Sequence, residues 1–564
     1  MTSLSTRAPM PADAGLRPTQ AAFDVLHYDL DLEIDPERQH LSGRVKVRLL
    51  ATTSLPAIDL DLDDRLSVRR VCLFGADGTA LGDAPFVHAA RRLLVQCTVA
   101  RPQGSVTTVE VHYDGVPKIS ANPPFDGGFT WQRCADGQPW IGVSVQLGGA
   151  ALWWPCKEHP CDKPDEGATL HFTVPAALTV ISNGRLTGID ALEGGRRRWH
   201  WQVTHPINSY NLTFNAAPFV ELKADVRSVD GTPIPFSYFA LPEDLADAQR
   251  VLPEFVDHLA FLESTFGPYP FRADKYAIVE SPYIGMEHQT AISYGRAFDA
   301  RVMGFLWIAL HEAAHEWWGN LVSAADWRDF WLHEGFAKYT EALYAGHLHG
   351  PAAYHEYLAR FVRPQIANDF ELAPTRPCSI GEMTFGHPAS EKVRREPYAK
   401  GAWVLHTLRY MLGDEVFLQL LRTHAYPDPT VRDGARVRAE SSADFMQRAE
   451  SAWGHDLGWF TAVYLRQPAL PRLLVQHSAD GLELRWQVPG GLAFPMPIDV
   501  QVNGERRRCE MREGWARLPI PPGAEVLVDP DWWVLRAEAP SVDHFGTLGL
   551  RAVSLDAAMA SRRT

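Results

Sequence analysis

Apolar and polar residues alternate with a period of two over the first part of the chain. Tyr28, Leu30, Leu32 and Ile34 alternate with His27, Asp29, Asp31 and Glu33. Val45, Val47 and Leu49 alternate with Arg44, Lys46 and Arg48, and Val109, Val111 and Tyr113 repeat the pattern. Successive side chains of a strand point to opposite faces, so each run sets one face on a core and the other in water. Gly and Pro clusters punctuate these runs, and the pattern continues to Leu212 and Phe214 without a long helical period. It predicts one large antiparallel β domain over 21–240. Residues 1–20, rich in Pro, Ala, Thr and Ser, read as a flexible leader.

After Pro242 the period changes. Leu245, Ala248, Val251, Leu252, Phe255 and Leu259 recur at intervals of three and four, the stripe of an amphipathic helix. Helical segments dominate 241–465. Near Pro471 the period of two returns, in Leu482, Leu484 and Trp486 and then in Ile498, Val500 and Val502. Asn503-Gly504 follows that run and is a strong hairpin signal. A small β-sandwich is predicted over 466–540, and the tail 541–564 has no pattern. The chain thus reads as multidomain α+β, without internal repeats.

Composition narrows the function. The 564 residues carry a net charge of −14, with 46% apolar residues. That balance suits a folded chain and opposes nucleic-acid or anionic-membrane binding, which need a basic face. The longest apolar stretch near the middle, 302–310, is about half of what spans a bilayer, and residues 1–20 hold no apolar signal core. Seven cysteines, an odd number spread widely, argue against a disulfide framework. They lean towards a reducing compartment, so a cytoplasmic protein is expected.

The chemistry centres on His311-Glu312-Ala313-Ala314-His315, inside a helix predicted over 305–320 and closed by Gly319-Asn320. Residues four apart share one helix face, so two imidazoles can reach one ion. Glu312 is rotated by about 100° from His311 and lies beside that ion, where a base for its water belongs. A third ligand is needed. Glu334, separated from His315 by eighteen residues, sits in Trp331-Leu332-His333-Glu334-Gly335-Phe336-Ala337, and a second helix starting near Asp329 offers it. Asp329 and Glu341 are candidates to hold the imidazoles from behind.

These segments resemble the zinc aminopeptidase family, the gluzincins that include aminopeptidase N and leukotriene hydrolase. HEAAHEWWGN followed by WLHEGFAKYTE matches that family's zinc motif and its distant glutamate. Tyr283-Ile284-Gly285-Met286-Glu287-His288 resembles its GxMEN motif, and Glu396-Pro397-Tyr398-Ala399-Lys400-Gly401 resembles its catalytic PYEKG segment. Gln146, nine residues before Pro155 of Pro155-Cys156, matches the acidic or Gln position ahead of the family's FPC segment.

The resemblance implies a thermolysin-like, mainly helical catalytic domain over 241–465. One zinc ion per chain would be held by His311, His315 and Glu334. Glu312 would be the general base and Tyr398 the oxyanion donor. Gly285, Met286, Glu287 and Gln146 would bind peptides with a free N-terminus; Glu287 and Gln146 would take the amine. The resemblance leaves the oligomeric state open. The chain departs from the family pattern at Ile284, His288 and His333, which puts side-chain preference and the metal surroundings in question. It ends about 25 residues past the small β domain, so no C-terminal helical cap is expected, and the cleft would be more open.

Competing readings use the same residues. Epoxide hydrolysis, as in leukotriene hydrolase, is disfavoured because Ser390 and Val393 stand where that enzyme places an Asp and a Tyr. A zinc endopeptidase with an open cleft remains an alternative. So does a non-catalytic peptide-binding scaffold of the same fold, although ligands and base are all present. Cys156-x4-Cys161 with His159 reads as packing around a turn rather than a second metal site, and His347 and His349 as solvated residues at a helix end, where cations suit the dipole.

Overall fold

The computed structural model describes residues 15–146, 149–385, 393–478 and 481–540. Ser390, the tail 541–564 and residues 1–14 of the expected leader lie outside the described residues. Two compact units divide the chain: 15–326 with 428–439, and 327–427 with 440–540. The division at Asp326/Trp327 falls inside the stretch read as one catalytic domain.

The first unit opens on an eight-stranded sheet. Its order is Arg185–Leu192, Arg196–Val203, Ala168–Pro175, Phe23–Asp35, His40–Ala51, Val106–Gly115, Leu66–Gly75 and Ala80–Asp83. The alternating apolar positions Tyr28, Leu30, Leu32, Ile34, Val45, Val47, Leu49, Val109, Val111 and Tyr113 are all buried. The expectation of a purely antiparallel domain is corrected here. Phe23–Asp35 pairs parallel with Ala168–Pro175, and such a pair needs a long crossover, which the intervening chain supplies. Residues 15–20 are not flexible as expected: Arg17 pairs with Asp59 at 3.1 Å and Asp61 at 2.7 Å, and Gln20 is buried.

A five-stranded sheet crosses the expected boundary at 240. Its order is Val220–Arg227, Pro233–Ala240, Tyr276–Glu280, Ile292–Tyr294 and Gly285–Met286. Pro233–Ala240 pairs parallel with Tyr276–Glu280, so the helix Leu245–Phe266 is the crossover between two strands. That helix buries Ala248, Val251, Phe255 and Leu259 of the predicted stripe and leaves Leu245 and Leu252 half-buried. Its Glu254 accepts a hydrogen bond from the Leu306 N–H at 2.6 Å and pairs with Arg301 at 2.7 Å, which fixes the entry to the next helix, Trp307–Ala314.

The second unit holds the helices Trp331–His349, Pro351–Tyr357, Gly401–Leu412, Asp414–Ala425 and Ser442–Trp453. Two three-stranded sheets follow. In one of them Asn503 and Gly504 both take positive φ (49° and 86°) between Ile498–Val502 and Glu505–Cys509, the two-residue hairpin their sequence signals. No helix of the described residues is long and apolar enough to cross a membrane.

One buried ion pair ties the segment after Gln146 to the first strand. Lys157 Nζ pairs with Asp162 and donates to Phe23 O at 2.6 Å, while Asp162 accepts from Val25 N–H. His159 Nδ1 accepts from the Cys161 N–H at 3.2 Å, so this stretch is a packed turn. Removing one partner of a buried pair strands the other charge. Asp162→Ala should therefore destabilise the protein by about 3–5 kcal/mol, read as a lower denaturant midpoint.

Candidate active site

The candidate residues fall in both units. In the first, the helix Trp307–Ala314 carries His311 and Glu312, and His315 caps its end with helical dihedrals. The predicted helix to 320 is corrected: residues 320–322 donate to the carbonyls of His315, Glu316 and Trp317, five residues back. This widened turn seats Trp317 and Trp318 on Phe266 and Tyr269, with Phe266 and Trp318 ring centroids 4.9 Å apart. Bulky indoles that must be buried on adjacent positions outweigh helical regularity there.

The two imidazoles face each other. His311 Nε2 and His315 Nε2 are 3.2 Å apart, and the rings are nearly perpendicular at 82°. His315 Nδ1 lies 2.8 Å from Trp318 O, a pure acceptor, so Nδ1 holds the proton and Nε2 presents a lone pair. Two nitrogens bound to a tetrahedral zinc at about 2.0–2.1 Å would lie about 3.3 Å apart, so this pair fits that ion.

Glu287, Glu312 and His315 each bring one ligand-capable atom within 4.8 Å of the others. Gly285 makes room for this. A Cβ there would stand 2.7 Å from Glu312 Oε1 and 3.0 Å from Ile308 Cγ2, so the glycine lets the strand Gly285–Met286 pack closely against these side chains. Met286, Glu287 and His288 are buried. His288 Nδ1 shares a hydrogen bond with Ser293 Oγ at 3.1 Å, which also meets Tyr283 OH at 3.0 Å. Burial lowers the His288 ring to about 3, so it is neutral at ordinary pH. The departure at this position is thus a structural bond behind the loop.

Two positioning residues escaped the sequence reading. Glu316 Oε1 accepts from the Thr290 N–H at 2.8 Å, and Asn320 Nδ2 donates to Glu287 O at 3.1 Å. Together they pin the loop bearing Glu287 to the turn after the metal-ligand pair. Burial pushes the Glu316 carboxyl up to about 8. The available signal was that both lie in the HEAAHEWWGN run, where Asn320 read only as a helix stop. Gln146 is half-buried, two residues beyond the strand Pro139–Ser144 and next to residues outside the description.

In the second unit Glu334 is buried in the first turn of Trp331–His349. Tyr398 is buried in the wide helical turn Glu396–Lys400, which runs straight into Gly401–Leu412. These elements meet at two glycines: a Cβ on Gly335 would stand 2.9 Å from Gly401 Cα. Glu396 Oε1 accepts from the Ala367 and Asn368 N–H groups, and Lys400 Nζ donates to Gln467 O at 2.7 Å, which anchors the turn at both ends. The Tyr398 ring stands edge-on to Phe330 at 6.5 Å, and Phe330 also packs on His333. Asp329 accepts from Ser442 N–H and Oγ, while Glu341 accepts from Lys338 Nζ at 2.8 Å and from Tyr357 OH.

The profile of the Peptidase family M1 domain matches residues 254–427. Residues 254–427 are thus similar to a peptidase family M1 domain. Its relatives include endoplasmic reticulum aminopeptidase 1 of Homo sapiens, 26% identical over 440 residues, covering 72% of this chain and 44% of that protein. They also include aminopeptidase N of Streptomyces lividans, 26% identical over 311 residues, covering 52% and 36%. The chain thus spans less than half the length of either protein. Among solved structures, the M1 zinc metallopeptidase of Deinococcus radiodurans is 25% identical with a TM-score of 0.64, covering 80% of this chain and 96% of that one. A mutant of that protein bound to Tyr-Ser-Ala gives the same TM-score. An M1 domain within a multidomain α+β chain with a β-rich N-terminal part accords with both the sequence motifs and the fold.

The glycine contact in the M1 domain gives a direct test. Gly335→Ala forces a methyl onto backbone that cannot yield cheaply. It should destabilise the protein by about 1–3 kcal/mol, measured by urea denaturation.

Proposed function

We propose that the protein is a zinc-dependent aminopeptidase that removes N-terminal residues from peptides. The observation that carries this reading is the facing pair of His311 and His315 nitrogens at 3.2 Å, with Glu312 and Glu287 beside them. His311 and His315 would hold the ion with Glu334 as third ligand, assigned from the eighteen-residue spacing and the family motif. When bound, zinc lowers the pKa of water and polarises the scissile carbonyl.

The chain's own residues do the rest. Glu312 takes the proton of the attacking water and passes it to the leaving amine. Tyr398 donates a hydrogen bond to the oxygen that gains charge as the carbonyl is attacked. Glu287 and Gln146 accept hydrogen bonds from the free α-ammonium, because a buried ammonium without acceptors is costly. Gly285 and Met286 form the adjoining strand, along which the first peptide unit lies. The Tyr-Ser-Ala complex of the Deinococcus radiodurans protein supports a short peptide with a free N-terminus as the substrate class. One ion per chain and a reducing, cytoplasmic compartment belong to the same proposal; none of the seven cysteines is disulfide-bonded.

Aminoacyl-anilide hydrolysis should vanish on chelation and return with zinc. Glu312→Gln should lower kcat by about 10²–10⁴-fold, and Tyr398→Phe by about 10²–10³-fold, both without loss of bound zinc. N-acetylation of a peptide substrate should abolish its turnover. Equal rates on free and acetylated peptides would replace this reading with the endopeptidase one, and a Glu312→Gln protein as active as the parent would remove the assigned base.

A further inference from the structure

A second group of metal-ligating side chains lies on the outer face of the eight-stranded sheet. Cys72, Glu110 and His112 bring one sulfur, one oxygen and one nitrogen within 4.8 Å of one another. Strand geometry causes this. Glu110 and His112 are two apart on Val106–Gly115 and so share a face. Cys72 on Leu66–Gly75 is the direct cross-strand partner of Glu110. Asp83 on Ala80–Asp83 is the partner of Cys72 on its other side, and its Oδ1 is 3.3 Å from the thiol sulfur. The neighbours Val71, Leu73, Val109 and Val111 point the other way, into the core.

We propose that Cys72, Glu110, His112 and Asp83 form a binding site for a borderline-soft divalent cation such as zinc, separate from the M1 site. One thiolate, one imidazole and two carboxylates are a donor set suited to a four-coordinate zinc-class ion. Cys72 and Glu110 are nearly buried and His112 half-buried, which leaves Asp83 as the open side through which an ion enters. His112 Nε2 and Glu110 Oε1 are already 2.7 Å apart, so the donors need only small rotations to surround one ion.

The same carboxylates hold ion pairs: Arg44 and Lys46 reach Glu110 at 3.4 and 3.6 Å, and Arg70 reaches Asp83 at 2.8 Å. These three cations extend on long, partly exposed side chains, and exposed pairs are weak enough to yield. Without an ion the Cys72 thiol donates a hydrogen bond to Asp83 Oδ1, and a metal would take the place of that proton. On binding, Cys72 releases its proton to solvent and the thiolate becomes the sulfur ligand. With the three cations, the ligand charge of three is already balanced in part, so the site would hold its ion less tightly than an all-cysteine one.

Cobalt(II) separates this site from the catalytic one, whose proposed ligands include no sulfur. Titrating the full chain carrying a single zinc equivalent with cobalt(II) should raise a thiolate-to-cobalt charge-transfer band in the near ultraviolet as a second metal equivalent is retained. Cys72→Ser should abolish that band, and His112→Ala should shift its titration to higher cobalt, both with peptide hydrolysis unchanged. A parent protein without the band, or a band that survives in both variants, would overturn the site. Should Cys72→Ser fold poorly, the His112→Ala titration decides alone.

Discussion

Two imidazole nitrogens held 3.2 Å apart are the constraint on which the proposed chemistry depends. Such an arrangement is costly in a folded interior unless both rings are fixed from behind. The backbone carbonyl of Trp318 fixes one tautomer, and the widened turn that supplies it exists because two adjacent tryptophans must be buried. The entry to the helix is fixed by Glu254, on a helix whose own place is set by the parallel crossover between two strands of the five-stranded sheet. The pair His311 and His315 is therefore supported by bonds from elements distant in sequence.

Close backbone approach is the second recurring device. Gly285 admits Glu312, Gly335 and Gly401 admit each other, and a Cβ on Gly142 would meet Pro282 and Tyr283 at 2.8–2.9 Å. In each case the missing side chain leaves room for a close approach, which at Gly335 and Gly401 is backbone to backbone. The loop bearing Glu287 is then held by Glu316 and Asn320, so that loop and the turn after His315 form one hydrogen-bonded piece. A shift in either would move both.

Much of the local structure was legible in the sequence. The period-two runs are buried where the alternation places them, and the helical stripe from Ala248 to Leu259 faces a core. Asn503-Gly504 makes the hairpin its dipeptide signals. The spacing of His311 and His315 set the two imidazoles on one helix face, and their Nε2 atoms lie 3.2 Å apart. The errors share a cause. The parallel pairing of Phe23–Asp35 with Ala168–Pro175, the sheet that crosses residue 240 and the early end of the metal-ligand helix all depend on partners far along the chain.

By itself the sequence determined what local periodicity and short spacing can encode: strands, helices, one tight turn, the paired imidazoles and the carboxylate next to them. Tertiary structure alone decided which strands are neighbours, that His288 bonds to Ser293, and that Glu316 and Asn320 grip the loop of Glu287. It also decided that Cys72, Glu110, His112 and Asp83 meet on one face. Side-chain direction follows from a few adjacent residues, whereas strand register and long-range hydrogen bonds follow from how the whole chain buries its apolar surface.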